Sequence, residues 1–173
     1  MTSDPSAESS EVTAERWLPA SVGRVWAQCT TRRGVESWWS PEDLRTRVQR
    51  FELRPGGEVA ISLRYLPAMV GPEGGTPFRA AGVPIALLLR GRVQEIEEHR
   101  RLVLDLTLAT DRSGSGVEST FSFDLESSGS GTRLRMTVAG RGDPHWTHQG
   151  RANLEGQLDR LDRSLRSGSD AAP

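Results

Sequence analysis

Apolar positions recur along this chain with two distinct periods, and the change from one to the other marks its elements. Residues 12–18 read as a short strand closed by Pro19, after which Ser21 stands where a helix cap belongs. Val22, Val25, Trp26 and Cys29 follow at i, i+3, i+4 and i+7, which places one apolar face on a short helix. Val35, Trp38 and Trp39 repeat that pattern in a second, shorter helix, which Pro41 stops. From residue 47 to 66 the period falls to two. Gln49, Phe51 and Leu53 fall on one side, and after a turn Val59, Ile61, Leu63 and Tyr65 do the same, which predicts a hairpin. Its turn, Arg54-Pro55-Gly56-Gly57, puts proline where φ near −65° is wanted and glycine where φ must be positive, as a type II turn requires.

Residues 66–84 carry Pro67, Pro72, Pro77 and Pro84 among Gly71, Gly74, Gly75 and Gly82, and no regular element survives that density. Their apolar members, Leu66, Met69, Val70 and Phe78, favour a loop that packs on something. Strand signals return at 85–96, at 102–108 with four alternating leucines, at 117–125 with Phe121 and Phe123 in phase, and around Leu134, Met136 and Val138. The connections are short and polar, which suits an antiparallel meander, because parallel crossovers need more chain. Asp143-Pro144 reads as a cap followed by proline at the first helical position, opening a helix that runs to about Arg166. Trp146, Gly150, Leu154, Leu158, Leu161 and Leu165 form its apolar stripe, while Asp159 with Arg163 and Asp162 with Arg166 are spaced to pair on its wet face. At 1.5 Å per residue it would be roughly 33 Å long, enough to cross a whole sheet.

The pattern therefore predicts an α+β fold: a curved antiparallel sheet of about six or seven strands around a long C-terminal helix, with two short helices after the first strand. One domain over residues 12–166 is expected. Residues 1–11 and 167–173 lack apolar periodicity and read as disordered tails.

Composition narrows the function. A formal net charge of -1 gives no long-range attraction to phosphates or anionic lipid, so neither nucleic acid nor a membrane is an expected partner. All 22 basic residues are arginine, a bias we assign to codon usage rather than to function. Cys29 is the only cysteine, so no internal disulfide can form. The polar, acidic start is unlike a secretory signal, and residues 83–89, the densest apolar stretch, are too few to span a bilayer. A cytoplasmic location is expected.

The order of elements, together with Pro19-Ala20 followed by Val25-Trp26, then Trp38-Trp39, Phe51 leading to Arg54-Pro55-Gly56-Gly57, Gly91-x-Val93-x-Glu95-Ile96 and Gly131-Thr132-Arg133-Leu134, resembles the START-like (SRPBCC) superfamily. Within it the chain is most similar to the bacterial single-domain relatives of the activator of heat-shock-protein ATPase. The resemblance covers nearly the whole domain and implies a helix-grip (Bet v 1-like) fold whose sheet and C-terminal helix enclose an apolar cavity. Two features depart from it: residues 66–84 look inserted, and the Gly-Trp pair common at the head of the last helix is Gly150-Arg151, with the indole at Trp146. Both lie where the cavity mouth is expected. The chain is also similar to enediyne self-resistance proteins, in which the bound drug's diradical takes a hydrogen from the protein and the backbone is cut.

Candidate ligand contacts follow from that architecture. Trp38, Trp39, Phe51, Tyr65, Phe121, Met136 and Leu154 are expected from sheet and helices. Met69 and Phe78 come from the 66–84 loop, Trp146 from the helix head, and Arg90, His145 and Gln149 as polar groups. Trp38 and Trp39 stand about 100° apart on a helix, so one is expected in the core and the other facing cavity or solvent. Asp143, His145 and His148 make too thin a ligand set for a metal, and no cofactor is expected. No nucleophile elbow, phosphate loop or dinucleotide fingerprint is present, and Cys29 sits in an apolar stripe where a thiol is inert. The expected function is non-catalytic binding of a small hydrophobic molecule by a monomer or weak homodimer. The alternatives are self-sacrificing enediyne resistance, a polyketide cyclase or hydrolase using His145 or Arg90, and stimulation of a chaperone ATPase. The last is weakened by the lack of a second chaperone-binding domain.

Overall fold

The computed structural model describes residues 9–42, 44–65, 86–110, 116–141 and 145–168. Along the chain these form β1 (Ser9–Leu18), α1 (Val22–Thr30), α2 (Arg32–Trp38), β2 (Leu44–Phe51), β3 (Glu58–Tyr65), β4 (Ala86–Glu97), β5 (Arg101–Thr110), β6 (Val117–Ser128), β7 (Gly131–Arg141) and α3 (His145–Ser167). The strands make one antiparallel sheet in the order β1-β7-β6-β5-β4-β3-β2. Five consecutive pairings are hairpin neighbours. The sixth returns β1 to the far side of β7, where Ser9 faces Arg141 and Leu18 faces Thr132. The helix-grip expectation holds: α3 packs on β1 and on α2.

The helix starts obey local chemistry. The Ser21 hydroxyl accepts from the Arg24 N–H at 3.4 Å at the head of α1. Thr31 serves both helices: its hydroxyl accepts from Gly34 N–H at 3.1 Å to cap α2 and donates to the Ala27 carbonyl at 2.7 Å to close α1. The hairpin turn is as predicted, with Gly56 at φ 76° and the Gly57 N–H donating to the Arg54 carbonyl at 2.7 Å. It also docks on β4: Gly56 donates to the Val93 carbonyl at 2.8 Å and Val93 donates to that of Gly57 at 2.9 Å.

Three expectations need correction. β1 starts at Ser9 rather than Val12, because pairing with β7 satisfies its backbone whatever the side-chain pattern. In β2 the inward row is Thr46, Val48 and Phe51, because a bulge at Gln49 shifts the register between Val48 and Arg50. Gln49 and Leu53 are accordingly exposed. On α3, Asp162 and Arg166 do pair, at 3.0 Å, but Asp159 is taken by Arg16 of β1, and Arg163 bonds Glu42 at 3.0 Å. Arg16 lies under the helix and reaches both Asp159 and Glu155, which outcompetes a contact along the exposed face.

Candidate functional site

One half of the space between sheet and helix is filled by large side chains. Trp38, Phe123, Leu104, Leu134, Met136 and Leu158 are all essentially inaccessible there. The Trp38 indole N–H donates to the Gln28 carbonyl at 3.0 Å, and its ring meets Phe123 edge-on at 6.4 Å. The other half is lined by smaller groups. The strands contribute leucine and valine there, and α3 presents Gly150 and Gly156, which project no side chain. The helix cannot fill what the sheet leaves, and a cavity of about 380 Å³ remains between them. That is within the size range of small-molecule sites.

The sheet wall of this cavity is mostly hydrocarbon, from Leu63, Leu87, Leu89, Leu108, Phe121 and Val138, with the hydroxyl of Ser119 among them. Trp39 closes one flank, its ring tilted against Phe121 at 5.5 Å. The α3 wall carries Leu154 together with Asn153, Gln157 and Arg160. Two of these are tied to the end of α2: the Gln157 amide donates to the Trp39 carbonyl at 2.7 Å, and the Arg160 Nε–H donates to that of Trp38 at 3.1 Å. They satisfy carbonyls that a helix C-terminus leaves without intrahelical partners.

The expected contact residues divide accordingly. Trp39, Phe121 and Leu154 come together on the cavity. Trp38 and Met136 belong to the solid half of the core. Phe51 packs against the core beside Val59, away from the cavity, and Tyr65 is half-buried at the end of β3. Arg90 is exposed, on the opposite face of β4 from Leu87 and Leu89, so strand alternation turns it away from the cavity. Met69 and Phe78 lie outside the described residues, as do the side chains of His145, Trp146 and Gln149. Sequence reasoning missed the aliphatic sheet positions and the Asn153, Gln157, Arg160 stripe. The stripe's spacing of four and three residues is present in the sequence, but no feature of the hydrophobic pattern sets it apart from other polar helix positions.

The one cysteine plays no part in the cavity. Cys29 is fully enclosed, and burial pushes its thiol up to about 12. Among the described residues no group of three or more His, Cys, Asp or Glu side chains is arranged to hold a metal ion, and no helix is long and apolar enough to cross a membrane.

Solved structures share this architecture. Protein CV1439 from Chromobacterium violaceum superposes with a TM-score of 0.70 at 17% identity, over 90% of this chain and 96% of its own. Mll3558 from Rhizobium loti does so with a TM-score of 0.65 at 25% identity, over 90% and 96%. DynU16, a protein in the dynemicin biosynthetic locus, matches at 0.66 and 19% identity, over 91% of this chain but only 48% of its own, so this chain spans about half of it. No curated protein matches the chain. Residues 19–166 match the family described as Activator of Hsp90 ATPase homolog 1-like protein, a span that includes both short helices, the six following strands and nearly all of α3. The chain belongs to that family.

Proposed function

We propose that this protein binds and sequesters, or carries, a small hydrophobic molecule in the cavity between the sheet and α3, without transforming it. The observation that carries the reading is the apolar volume that the described residues leave between sheet and helix, since such residues otherwise pack to near crystal density. Polyketide-like natural products are a ligand class of suitable shape and polarity. Trp39, Phe121 and Leu154 are the aromatic and aliphatic contacts. The described lining offers hydroxyls, amides and one guanidinium, none of which exchanges protons near neutral pH. A single chain lines the cavity, which is compatible with action as a monomer or a weak homodimer in the cytoplasm. Covering about 300 Å² of apolar ligand surface would give roughly 7 kcal/mol before association entropy is subtracted, which leads to micromolar affinity.

Titration with Nile red, a neutral dye whose emission rises in apolar surroundings, tests this directly. Saturable micromolar binding is expected. It should vanish in Leu108→Trp, where the indole fills the space, while the unfolding temperature is maintained. If the unmodified protein gives no saturable signal with Nile red or with a panel of neutral apolar metabolites, the reading fails.

A second reading follows the resemblance to enediyne self-resistance proteins, and a protein of the dynemicin biosynthetic locus shares the fold. Three glycines, Gly140, Gly150 and Gly156, line the cavity, and a drug diradical held there would have their Cα hydrogens within reach. Abstraction would leave a Cα radical that adds dissolved dioxygen and then breaks the backbone, so exposure to an activated enediyne in air would cut the chain at one of them, giving two fragments by intact mass. A chain that stays whole removes this reading and leaves the first.

A further inference from the structure

We propose that the guest of this cavity carries an uncharged oxygen, that of a ketone, ester or alcohol, which accepts a hydrogen bond from the Ser119 hydroxyl while the rest of the molecule lies against hydrocarbon. The inference rests on the ligand-binding reading above and specifies the class of molecule. Along the inward row of β6, Ser119 interrupts a series that is otherwise apolar, Val117, Phe121, Phe123 and Leu125. Its neighbours across the sheet are Leu106 on β5 and Gly140 on β7, neither of which offers a polar side chain. A hydroxyl in such a wall opposes folding unless something meets its hydrogen-bonding capacity.

The other polar side chains of the lining are already committed. The Ser40 hydroxyl bonds the Leu44 carbonyl and the Thr46 hydroxyl, Gln157 donates to the Trp39 carbonyl, and Arg160 is held by the Trp38 carbonyl and by a further interaction. Asn153 is exposed, so solvent serves its amide. Ser119 is half-buried, and among the described residues nothing bonds its hydroxyl. No side-chain oxygen or nitrogen there is both sealed and without a partner, so the Ser119 oxygen is open to a guest. Gly140 keeps it open. A Cβ on that glycine would stand 3.3 Å from the Ser119 Oγ and crowd it. Glycine weakens a strand, and one place that retains it is where a ligand approaches closely. An ionised group is a poor partner here, because it would leave water for one neutral hydrogen bond beside phenylalanine and valine, whereas an uncharged oxygen gives up far less.

The test uses adamantanone and methyleneadamantane, rigid cages of the same shape in which a carbonyl oxygen replaces a methylene group, as competitors for bound Nile red. Ser119→Ala should weaken displacement by the ketone about fivefold and leave that by the hydrocarbon unchanged, the loss expected for one neutral hydrogen bond. Gly140→Ala, which crowds the hydroxyl without removing it, should shift the ketone in the same direction by less. Ser119→Thr keeps the hydroxyl and should keep the ketone's affinity relative to the hydrocarbon. Unchanged ketone affinity in Ser119→Ala, or equal losses for the two cages, would overturn the seat at Ser119 while leaving an apolar-ligand protein standing. A threonine variant that binds the hydrocarbon normally yet loses the ketone as alanine does would overturn it too. Bound dye that neither cage displaces would overturn this inference alone. Absence of dye binding would overturn this inference and the proposed function together.

Discussion

Trp38 and Trp39 are adjacent, and a helix separates their directions by about 100°, yet both are enclosed, at 1% and 5% exposure. The sequence-based expectation placed one in the core and the other facing cavity or solvent. In the fold α2 is wedged between the sheet and α3, so two of its faces are inside. Trp38 fills the solid half and Trp39 flanks the hollow half, a distinction of neighbours that no pattern within the segment could carry. Trp38→Ala should therefore cost about 3–5 kcal/mol in urea denaturation, the range for emptying a buried aromatic site. A loss under ~1 kcal/mol would contradict its place in the core. The placement of Cys29 was legible, since its position in an apolar stripe already implied an inert thiol. Its titration has a sign that can be checked. The folded protein keeps the thiol protonated up to about 12, whereas the unfolded chain releases that proton near the ordinary value of 9.0. Above pH 9 the unfolded state binds fewer protons, so this contribution to stability is intact below that pH and declines as pH rises toward 12, at most about 1.4 kcal/mol per pH unit. Cys29→Ala should flatten that alkaline decline in a series of denaturant midpoints. In the native protein at pH 8, the thiol should resist an aromatic disulfide reagent that labels the urea-unfolded chain at once.

Elements were legible wherever one rule of periodicity acted alone. Both short helices, the Pro55-Gly56 turn and the four leucines of β5 match because each reflects local geometry that the tertiary fold leaves unopposed. β2 escaped because the bulge at Gln49 changes the phase partway, and an extra residue in a strand leaves no mark in a polar segment. The bulged strand is also an edge, and its unpaired groups are met by side chains: the Glu36 carboxylate accepts from Val48 N–H at 2.9 Å, and the Ser40 hydroxyl donates to the Leu44 carbonyl at 3.2 Å. Such caps discourage another chain from extending the sheet. The Gly91-x-Val93 motif that carried the family resemblance has a physical origin. A Cβ at Gly91 would stand 1.7 Å from the Asp105 carbonyl oxygen of β5, too close for any side chain. Gly91→Ala should accordingly destabilise the protein by at least ~2 kcal/mol, read from the denaturant midpoint, because backbone rather than a flexible side chain must yield. A neutral substitution there would mean that β4 and β5 are not in this register.

At the scale of the whole molecule, strand number, topology and the grip of α3 on the sheet followed from the order of elements, while the location of the hollow did not. Its position depends on aromatic residues meeting at one end of the sheet and Gly150 and Gly156 facing leucines at the other, a coincidence of residues far apart in sequence. A cavity that accepts a guest only when folded couples occupancy to stability. A ligand at about a hundred times its dissociation constant should raise the unfolding free energy by about 2.7 kcal/mol, measurable as a rise in melting temperature that grows with concentration. A tight-binding compound that leaves the melting temperature unchanged would have to bind the unfolded chain equally well. The pairing of β1 with β7 has a consequence of another kind. Ser9 finds its partner only at Arg141, so β1 leaves the ribosome ahead of the six other strands and finds its place in the sheet after them. Until the final hairpin emerges, Leu18 and the Trp17 beside it have no β7 beside which to lie. The nascent chain therefore carries β1 unmatched while the strands from β2 to β6 are made, when binding by a chaperone would matter most.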